Sequence, residues 1–388
     1  MGIKINLKIM RVLITYITAG AGHRRVAEAV HGYLKEKRQD LTLELVDLLP
    51  YANPFLRFCY NSGYPFLVHY ATWLWGFFFW ITESKLTRWF SRPCSKIANY
   101  LSCRKFIQYV KEGDFDYIIS THFLNSELIA DLKLKNEPSR GLNPVVFGPR
   151  KYKIKAKLIT VITDFGVHPF WVSKGTDLYI AGSKATKDKL LNMGVEESKI
   201  KDSGIPFSSN FVKSQNRAES AARLGIKSNM FTVLLMTGSF GLGPLEKIAE
   251  SICADVQVLV VCANNKVLLN RLQKMNLNNV KIFGFINNAQ ELMAASDIII
   301  TKPGGSSIVE LINMELFPIF ISAIPGQERE NIRTLAACFV GYAPKNIKQI
   351  KELVLDLKNN PAKLQELRNN LTAMAKPFAC RELASVIR

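Results

Sequence analysis

The segment 301–331 combines residue types that could hold a phosphate. It reads TKPGGSSIVELINMELFPIFISAIPGQEREN, and the short β-branched run before it predicts a buried strand. Gly304 and Gly305 would let backbone approach a ligand, and Ser306 and Ser307 could cap the following helix and offer hydroxyls to an anion. The free N–H groups of a helix N-terminus favour a diphosphate there. The alternative is an ordinary strand-turn-helix connection.

Two further features of this segment could recognise a nucleotide sugar. Glu310 lies one turn into the predicted helix, where its carboxylate could reach ribose hydroxyls. The loop 325–328, with Gln327 and Glu328, follows a second apolar strand and places an amide and an acid at the same edge of the sheet. Together these features favour a nucleotide-sugar site over a purely structural turn.

A glycine loop near the N-terminus could supply a base. The loop TAGAGH, residues 18–23, follows the first predicted strand and precedes a predicted helix. Gly22 allows a tight approach at the start of that helix, and His23 would project from its first turn into a cleft. The ordinary pKa of histidine suits removal of a proton from a hydroxyl near neutral pH. Alternatively, His23 caps the loop.

Polar residues follow two other predicted strands. In TDFGVHPFWV, residues 163–172, Asp164 and His168 could orient an acceptor or a partner histidine, whereas Trp171 is expected to be apolar lining. Asp164 could also simply cap its loop. His122 follows the strand 117–120 and is expected at the same edge.

Two loops of the second half could complete a nucleotide site. The loop MTGSFGLGP, residues 236–244, offers Gly238 and Ser239 to a diphosphate, although it lacks the lysine of a P-loop. The sequence FGFI ends a further strand, so main-chain groups at Phe285 and Ile286 could read the edge of a base.

Strand patterns alternate with helical patterns along the chain, which predicts α/β layers on parallel sheets. We expect two doubly wound, Rossmann-like domains whose ligands lie beyond the carboxyl ends of the strands. The expected boundaries are 1–206, a linker 207–229, a second domain 230–375, and a C-terminal helix 376–388 that could pack back on the first domain. The predicted strands are 11–17, 41–47, 117–120, 158–163, 178–181, 231–237, 257–262, 280–284, 298–301 and 318–322.

Residues 51–110 form an insertion that could contact a membrane. The run 58–82 has no formal charge, and 64–81 (YPFLVHYATWLWGFFFWI) is dense in aromatic residues, among them Trp73, Phe77 and Trp80. This composition fits the membrane interface better than its centre, but a buried or partner-covered helix and a true span remain alternatives. Basic residues follow, including Lys85 and Arg88, and Pro93 is expected to break the helix.

The net charge of +19 over 388 residues suits either nucleic acid or an anionic membrane surface. No nucleic-acid-binding motif accompanies the charge, so a membrane is favoured and no nucleic acid partner is expected. The seven cysteines are scattered without a C-x-x-C pair, which predicts reduced thiols in a cytosolic setting and argues against zinc.

The motifs GAGH, TDFGVHPFW, SGIPF, TGSFGLGP, FGFI, TKPGGSSIVE and PGQEREN, in this order, resemble glycosyltransferase family 28. The resemblance is strongest to its diacylglycerol glycosyltransferase and monogalactosyldiacylglycerol synthase branch. It implies a GT-B fold, a UDP-sugar donor, inversion at the anomeric carbon, no cofactor or metal, and a monotopic membrane enzyme.

The resemblance also implies roles for individual residues. His23 would be the base, Glu310 would hold ribose and Ile286 the uracil edge. The diphosphate would lie at Gly238, Ser239, Gly305, Ser306 and Ser307, and the donor sugar at Gln327 and Glu328, with Asn331 also at the donor site. Ala263 stands where relatives often have glycine, and relatives vary at the Ser-Ser pair that follows the diglycine.

We therefore expect an inverting enzyme that moves glucose or galactose from a UDP-sugar to diacylglycerol at the cytoplasmic face of a membrane. Two alternatives remain. The chain could use UDP-N-acetylglucosamine on a polyprenyl-linked acceptor, or it could be a non-catalytic, membrane-associated nucleotide-sugar sensor. Which sugar is used is not evident from the sequence.

Overall fold

The computed structural model describes residues 9–18, 20–83, 85–134, 154–212, 216–238, 241 and 243–388. Within these ranges, the side chains of residues 69, 78, 83, 85, 86 and 88–91 are outside the description. The expected sites Ser239, Lys85 and Arg88 therefore lie outside what is described, the last two with respect to their side chains.

Two parallel sheets carry the fold. The first has six strands in the order β2-β1-β3-β4-β5-β6, and the second has five in the order β11-β10-β7-β8-β9. The strands are β1 Met10–Tyr16, β2 Leu41–Asp47, β3 Tyr117–Ser120, β4 Lys157–Val161, β5 Leu178–Ile180, β6 Ile200–Lys201, β7 Thr232–Met236, β8 Gln257–Val261, β9 Val280–Phe283, β10 Ile298–Thr301 and β11 Phe317–Phe320.

Helices cover both sheets, which is why the central strands are apolar on both faces. In β10 every side chain is buried, and in β3 and β7 as well. The helices are α1 Gly22–Lys37, α2 Pro54–Phe58, α3 Tyr64–Tyr70, α4 Thr72–Glu83, α5 Lys85–Ser102, α6 Arg104–Glu112, α7 Phe123–Leu134, α8 Lys184–Asn192, α9 Arg217–Leu224, α10 Leu245–Ile252, α11 Lys266–Met275, α12 Ala289–Ala294, α13 Gly305–Asn313, α14 Gln327–Ala336, α15 Ile347–Asn359, α16 Pro361–Met374 and α17 Ala379–Ala384.

The predicted alternation of strands and helices is confirmed, with strand ends that differ by one or two residues. Strand β6 was not predicted, because two residues are too short to form a recognisable pattern. The end of the chain packs on the first sheet's layer: Arg38 donates to the carbonyl oxygen of Ile387 at 2.9 Å, and the Tyr117 hydroxyl donates to that of Arg388 at 2.8 Å.

The insertion folds into helices α2 to α6. The expected break at Pro93 is wrong, because this proline lies inside α5. Tertiary contacts hold α5 in place despite the lost hydrogen bond: Arg92 donates to the Val172 carbonyl at 2.6 Å and Lys96 to Asp131 at 2.7 Å. Within the described ranges, none of the helices has the length and apolar character needed to cross a bilayer.

Candidate functional site

The carboxyl ends of the two sheets meet face to face, with glycines at the closest points. A Cβ atom on Gly305 would lie 1.9 Å from the carbonyl oxygen of Thr163 in the other sheet's layer. A Cβ on Gly22 would lie 3.3 Å from Ser306 Oγ. The glycine loop at the start of α1 and the diglycine at the start of α13 therefore face each other across the cleft.

Asn331 joins the two halves beside this contact. Its Oδ1 accepts hydrogen bonds from the backbone N–H groups of Phe165 at 2.9 Å and Gly166 at 3.1 Å. Its Nδ2 donates to Asp164 Oδ1 at 3.0 Å and to the Pro303 carbonyl at 2.9 Å. This fully buried side chain has used its whole hydrogen-bonding capacity, and it lines neither of the two cavities described below.

A first cavity of about 530 Å³ lies between the two sheets. It brings together most of the residues expected to act on the acceptor and on the diphosphate and sugar of the donor. They are Gly22, His23, Asp164, Gly238, Gly304, Gly305, Ser306, Ser307, Gln327 and Glu328. Because α13 begins at Gly305, its free N–H groups are at this cavity.

His23 is held in a tautomer that suits a base. Its Nδ1 lies 2.8 Å from the Thr121 carbonyl oxygen, which can only accept, so Nδ1 carries the proton and Nε2 keeps its lone pair. Thr163 Oγ1 is 2.9 Å from the same nitrogen. Burial lowers the pKa of His23 to about 4, although the Thr121 hydrogen bond opposes that shift. The imidazole is therefore neutral at physiological pH.

The other two histidines at this edge do not line the cavity. His122 is buried behind His23, with ring centroids 4.6 Å apart, and burial, followed by the neighbouring His23, lowers its pKa. The His168 ring packs on Phe79 of α4 at 4.7 Å, and its Nε2 lies 3.3 Å from Thr82 Oγ1. His168 thus contacts helix α4 of the insertion.

Asp164 lines the first cavity, but its side chain accepts a hydrogen bond from Asn331 rather than contacting a histidine. Burial raises the pKa of Asp164, and the Asn331 hydrogen bond opposes that shift. The orientation of His23 is instead provided by Thr121 and Thr163, which the sequence analysis did not single out. Thr121 follows the predicted strand 117–120 and Thr163 ends the predicted strand 158–163, positions that could have indicated them.

At the far end of the cavity, Glu328 is held by Lys302. Their charged atoms are 3.3 Å apart, and the Ile324 N–H donates to Glu328 Oε2 at 2.7 Å. Burial raises the pKa of Glu328, and Lys302 opposes this. Gln327 begins α14 beside it, so the pair stands where a sugar attached to the diphosphate could be bound.

A second cavity of about 650 Å³ adjoins the first and is lined by Phe285, Ile286 and Glu310. Glu310 is almost fully buried, and its Oε2 has no hydrogen-bond partner. The nearest cation is Arg25, at 3.6 Å. Burial raises the pKa of Glu310 to about 7, against the effect of Arg25. A buried, unpartnered carboxylate oxygen is costly unless a ligand satisfies it, which fits the expected ribose contact.

The insertion forms an aromatic wall of the first cavity and an exposed apolar face. Tyr64, Pro65, Phe66, Val68 and Tyr70 line the cavity. The exposed large apolar side chains of the insertion, called the exposed apolar face below, are Phe55, Phe58, Phe66, Tyr70, Trp73, Phe77, Trp80, Ile97 and Leu101. Exposed apolar side chains concentrated in one segment are typical of an interaction surface. Two nearby basic residues are neutralised internally, since Arg92 pairs with Glu127 and Lys96 with Asp131.

Comparison with known proteins identifies the family. Residues 23–207 match the family model described as monogalactosyldiacylglycerol (MGDG) synthase, and residues 238–382 match the glycosyltransferase family 28 C-terminal domain. The chain is 30% identical to monogalactosyldiacylglycerol synthase 1, chloroplastic, of Arabidopsis thaliana, over 95% of this chain and 69% of that protein. The chain belongs to the monogalactosyldiacylglycerol synthase family. It is thus a glycosyltransferase of family 28.

A bacterial relative agrees with this assignment, and solved structures show the fold. The chain is also 27% identical to a processive diacylglycerol beta-glucosyltransferase of Bacillus pumilus, over 94% of this chain and 91% of that protein. MurG of Acinetobacter baumannii matches with a TM-score of 0.57 and 12% identity, over 97% of this chain and 99% of that one. Anabaena HepE in complex with UDP-glucose matches with a TM-score of 0.54 and 15% identity, over the same shares. The predicted GT-B fold is confirmed.

The described residues contain no group of three or more His, Cys, Asp and Glu side chains that could hold a metal ion.

Proposed function

We propose that this chain transfers a hexose, glucose or galactose, from a UDP-sugar to the sn-3 hydroxyl of diacylglycerol, with inversion at the anomeric carbon. One observation carries the proposal. His23, with its Nε2 lone pair free, shares a cavity with the N-terminus of α13 and with Gln327 and Glu328. The similarity to a monogalactosyldiacylglycerol synthase of Arabidopsis and a diacylglycerol beta-glucosyltransferase of Bacillus supports diacylglycerol as the acceptor.

The proposed reaction is a single displacement. The acceptor hydroxyl donates a hydrogen bond to His23 Nε2 and loses its proton to it as the oxygen attacks the anomeric carbon. The new C–O bond forms on the face opposite the diphosphate, whose C–O bond breaks with the electron pair staying on UDP. The free N–H groups of α13 and the hydroxyls of Ser306 and Ser307 stabilise that negative charge.

In this proposal the remaining site residues hold the two substrates. Gly238 and Gly304 leave room for the diphosphate, because a Cβ on either would meet nothing within 4 Å. Phe285 and Ile286 take the uracil and Glu310 the ribose, while Asp164 accepts a hydrogen bond from the acceptor. The diacylglycerol tails leave the cavity along the aromatic wall, from Tyr64 to Tyr70.

The proposal places the enzyme on the cytoplasmic face of a membrane, with the exposed apolar face in the interfacial region. Three of its aromatic side chains, Trp73, Tyr70 and Phe55, are each more than 70% exposed. Aromatic residues at this level are typical of interfacial anchoring, and the net charge of +19 favours an anionic surface.

One experiment tests the function. The protein is incubated with vesicles that contain either diacylglycerol or a polyprenyl-linked acceptor, in separate reactions with labelled UDP-glucose, UDP-galactose or UDP-N-acetylglucosamine. The lipid product and its anomeric configuration are then determined. We expect a β-linked hexosyl diacylglycerol. Transfer of N-acetylglucosamine to a polyprenyl-linked acceptor instead, or UDP binding without transfer to any lipid, would overturn the proposal in favour of the two alternatives.

A further inference from the structure

Arg25 occupies the junction between the two cavities. It lies on α1, two residues after His23, and together with Ser306 it lines both the first and the second cavity. Ser306 belongs to the first turn of α13, and Glu310 lies one turn further along the same helix, about 6 Å away along its axis. Arg25 therefore faces the donor helix from the opposite side of the cleft.

The first cavity has few positive charges for a diphosphate. Among its described lining residues, the cationic side chains are Arg25 and Lys302. Lys302 is only 13% exposed and its Nζ lies 3.3 Å from Glu328, so its charge is already compensated. The N-terminus of α13 contributes roughly half an elementary charge. A UDP moiety brings more negative charge than these groups balance.

The ion pair between Arg25 and Glu310 leaves hydrogen-bonding groups unused on both sides. The 3.6 Å separation is too long for a hydrogen bond. Glu310 Oε2 is buried without a hydrogen-bond partner, whereas the Arg25 side chain is 44% exposed. A guanidinium presents several donors in a planar fork, a geometry that matches phosphate oxygens.

We infer that Arg25 binds the donor diphosphate from across the cleft, and that Glu310 is its partner only while the donor site is empty. A nucleotide lying along α13 must pass the junction that Arg25 lines. In the bound state the guanidinium contacts phosphate, and Glu310 accepts the ribose hydroxyls. This inference rests on the proposed UDP-sugar donor and adds a donor contact from the acceptor domain.

A purely structural ion pair between the domains is the competing explanation, and the neighbouring arginine offers a matched control. Arg24 pairs with Glu28 at 2.7 Å on the same helix and lines neither cavity. Uridine offers a second control, because it fills the nucleoside site without phosphates. A structural role for Arg25 would affect uridine and UDP alike.

The test measures the binding of UDP and of uridine by calorimetry to the full chain and to Arg25→Gln, Arg25→Lys and Arg24→Gln. For Arg25→Gln we expect UDP affinity to fall about 10- to 100-fold, the range for a lost charge-assisted hydrogen bond. Uridine affinity should change less than about threefold, as for a peripheral substitution. Arg25→Lys should lose less than Arg25→Gln, and Arg24→Gln should match the unchanged chain.

Equal losses of UDP and uridine affinity, or no loss of UDP affinity, would overturn the inference. If Arg25→Gln does not fold, as judged by thermal unfolding, Arg25→Lys decides: undiminished UDP affinity overturns the inference, because lysine cannot reproduce the planar fork. An unchanged chain that binds no UDP would overturn the proposed function as well, which separates the two failures.

Discussion

Substitution of Gly305 by alanine should disable the site by forcing the two domains apart. The new Cβ would lie 1.9 Å from the Thr163 carbonyl oxygen and 3.0 Å from Asp164 Cα, both backbone atoms that cannot rotate away. Real Cβ atoms stay beyond 3.0 Å, so α13 or the Thr163 segment must move by about 1.1 Å, the difference between the two distances.

That displacement would also disturb His23, the proposed base. Thr163 Oγ1 is 2.9 Å from His23 Nδ1, so the residue that must yield also contacts the imidazole. A misplacement of about 1 Å can cost about 100-fold in rate, equal to about 2.7 kcal/mol of transition-state stabilisation. Overpacking of the contact should lower the free energy of unfolding by about 1–3 kcal/mol.

The neighbouring glycine is the matched control. Gly304 has an extended backbone with a negative φ, and a Cβ there would meet nothing within 4 Å. Gly304→Ala should therefore keep its melting temperature and keep kcat within about threefold, with any contact to the nucleotide showing in the donor KM. Both variants are assayed for hexose transfer to diacylglycerol vesicles and for thermal unfolding. If Gly305→Ala kept kcat within threefold and melted with the unchanged chain, the reasoning would be refuted.

Four other predictions follow from the site. His23→Gln should lower kcat by about 10²- to 10⁴-fold without unfolding the chain. His31→Gln on the same helix should leave kcat unchanged. Equal losses of kcat in the two variants would contradict a role of His23 as the base. Because burial lowers the pKa of His23 to about 4, the acid limb of kcat/KM should lie well below the ordinary histidine pKa of 6.5, and a limb near 6.5 would argue against it. Burial raises the pKa of Glu310 from 4.5 to about 7, so the stabilisation from its protonated form is complete below pH 4.5 and is lost as pH rises through 7. The free energy of unfolding should therefore fall by about 3 kcal/mol between these pH values. Melting curves at several pH values should show this fall for the unchanged chain and not for Glu310→Gln. The double variant Trp73→Ser, Phe77→Ser should weaken co-sedimentation with anionic vesicles by at least about tenfold. The control Val267→Ser replaces an exposed apolar side chain on α11 and should not weaken it. Equal weakening by both would argue against the exposed apolar face as the membrane contact.

Local sequence patterns were sufficient to predict the strands of both sheets, because these strands are short, β-branched runs buried on both faces. Runs such as Ile298–Thr301 leave little choice of secondary structure, and glycine-rich loops mark where parallel strands give way to helices. The same rule placed His23 and Asp164 at the carboxyl edge of the first sheet and the diglycine at the carboxyl edge of the second, since ligands of such sheets lie beyond the carboxyl ends of the strands.

The sequence could not assign roles that depend on how the two domains dock. Asn331 lies on α14, just after the polar loop 325–328, and was expected at the donor site; three of its four hydrogen bonds join it to residues 164–166 of the other domain. Arg24 and Arg25 are adjacent and chemically identical, but only Arg25 faces both cavities. Nothing in the local pattern distinguishes them, because the difference lies in the surface that α1 presents to α13.

Gly305 and Asn331 both contact the segment 163–166, which orients the proposed base. Thr163 contacts His23 through its side chain and Gly305 through its carbonyl, while Asn331 fixes the next three residues, 164–166, against the loop before α13. The helix that would hold the leaving diphosphate is thus in direct contact with the segment that orients the base. Since effective catalysis depends on holding the attacking and leaving groups in line, we expect this contact to set their separation. The site can therefore keep its geometry even though its acceptor side and its donor side come from different sheets.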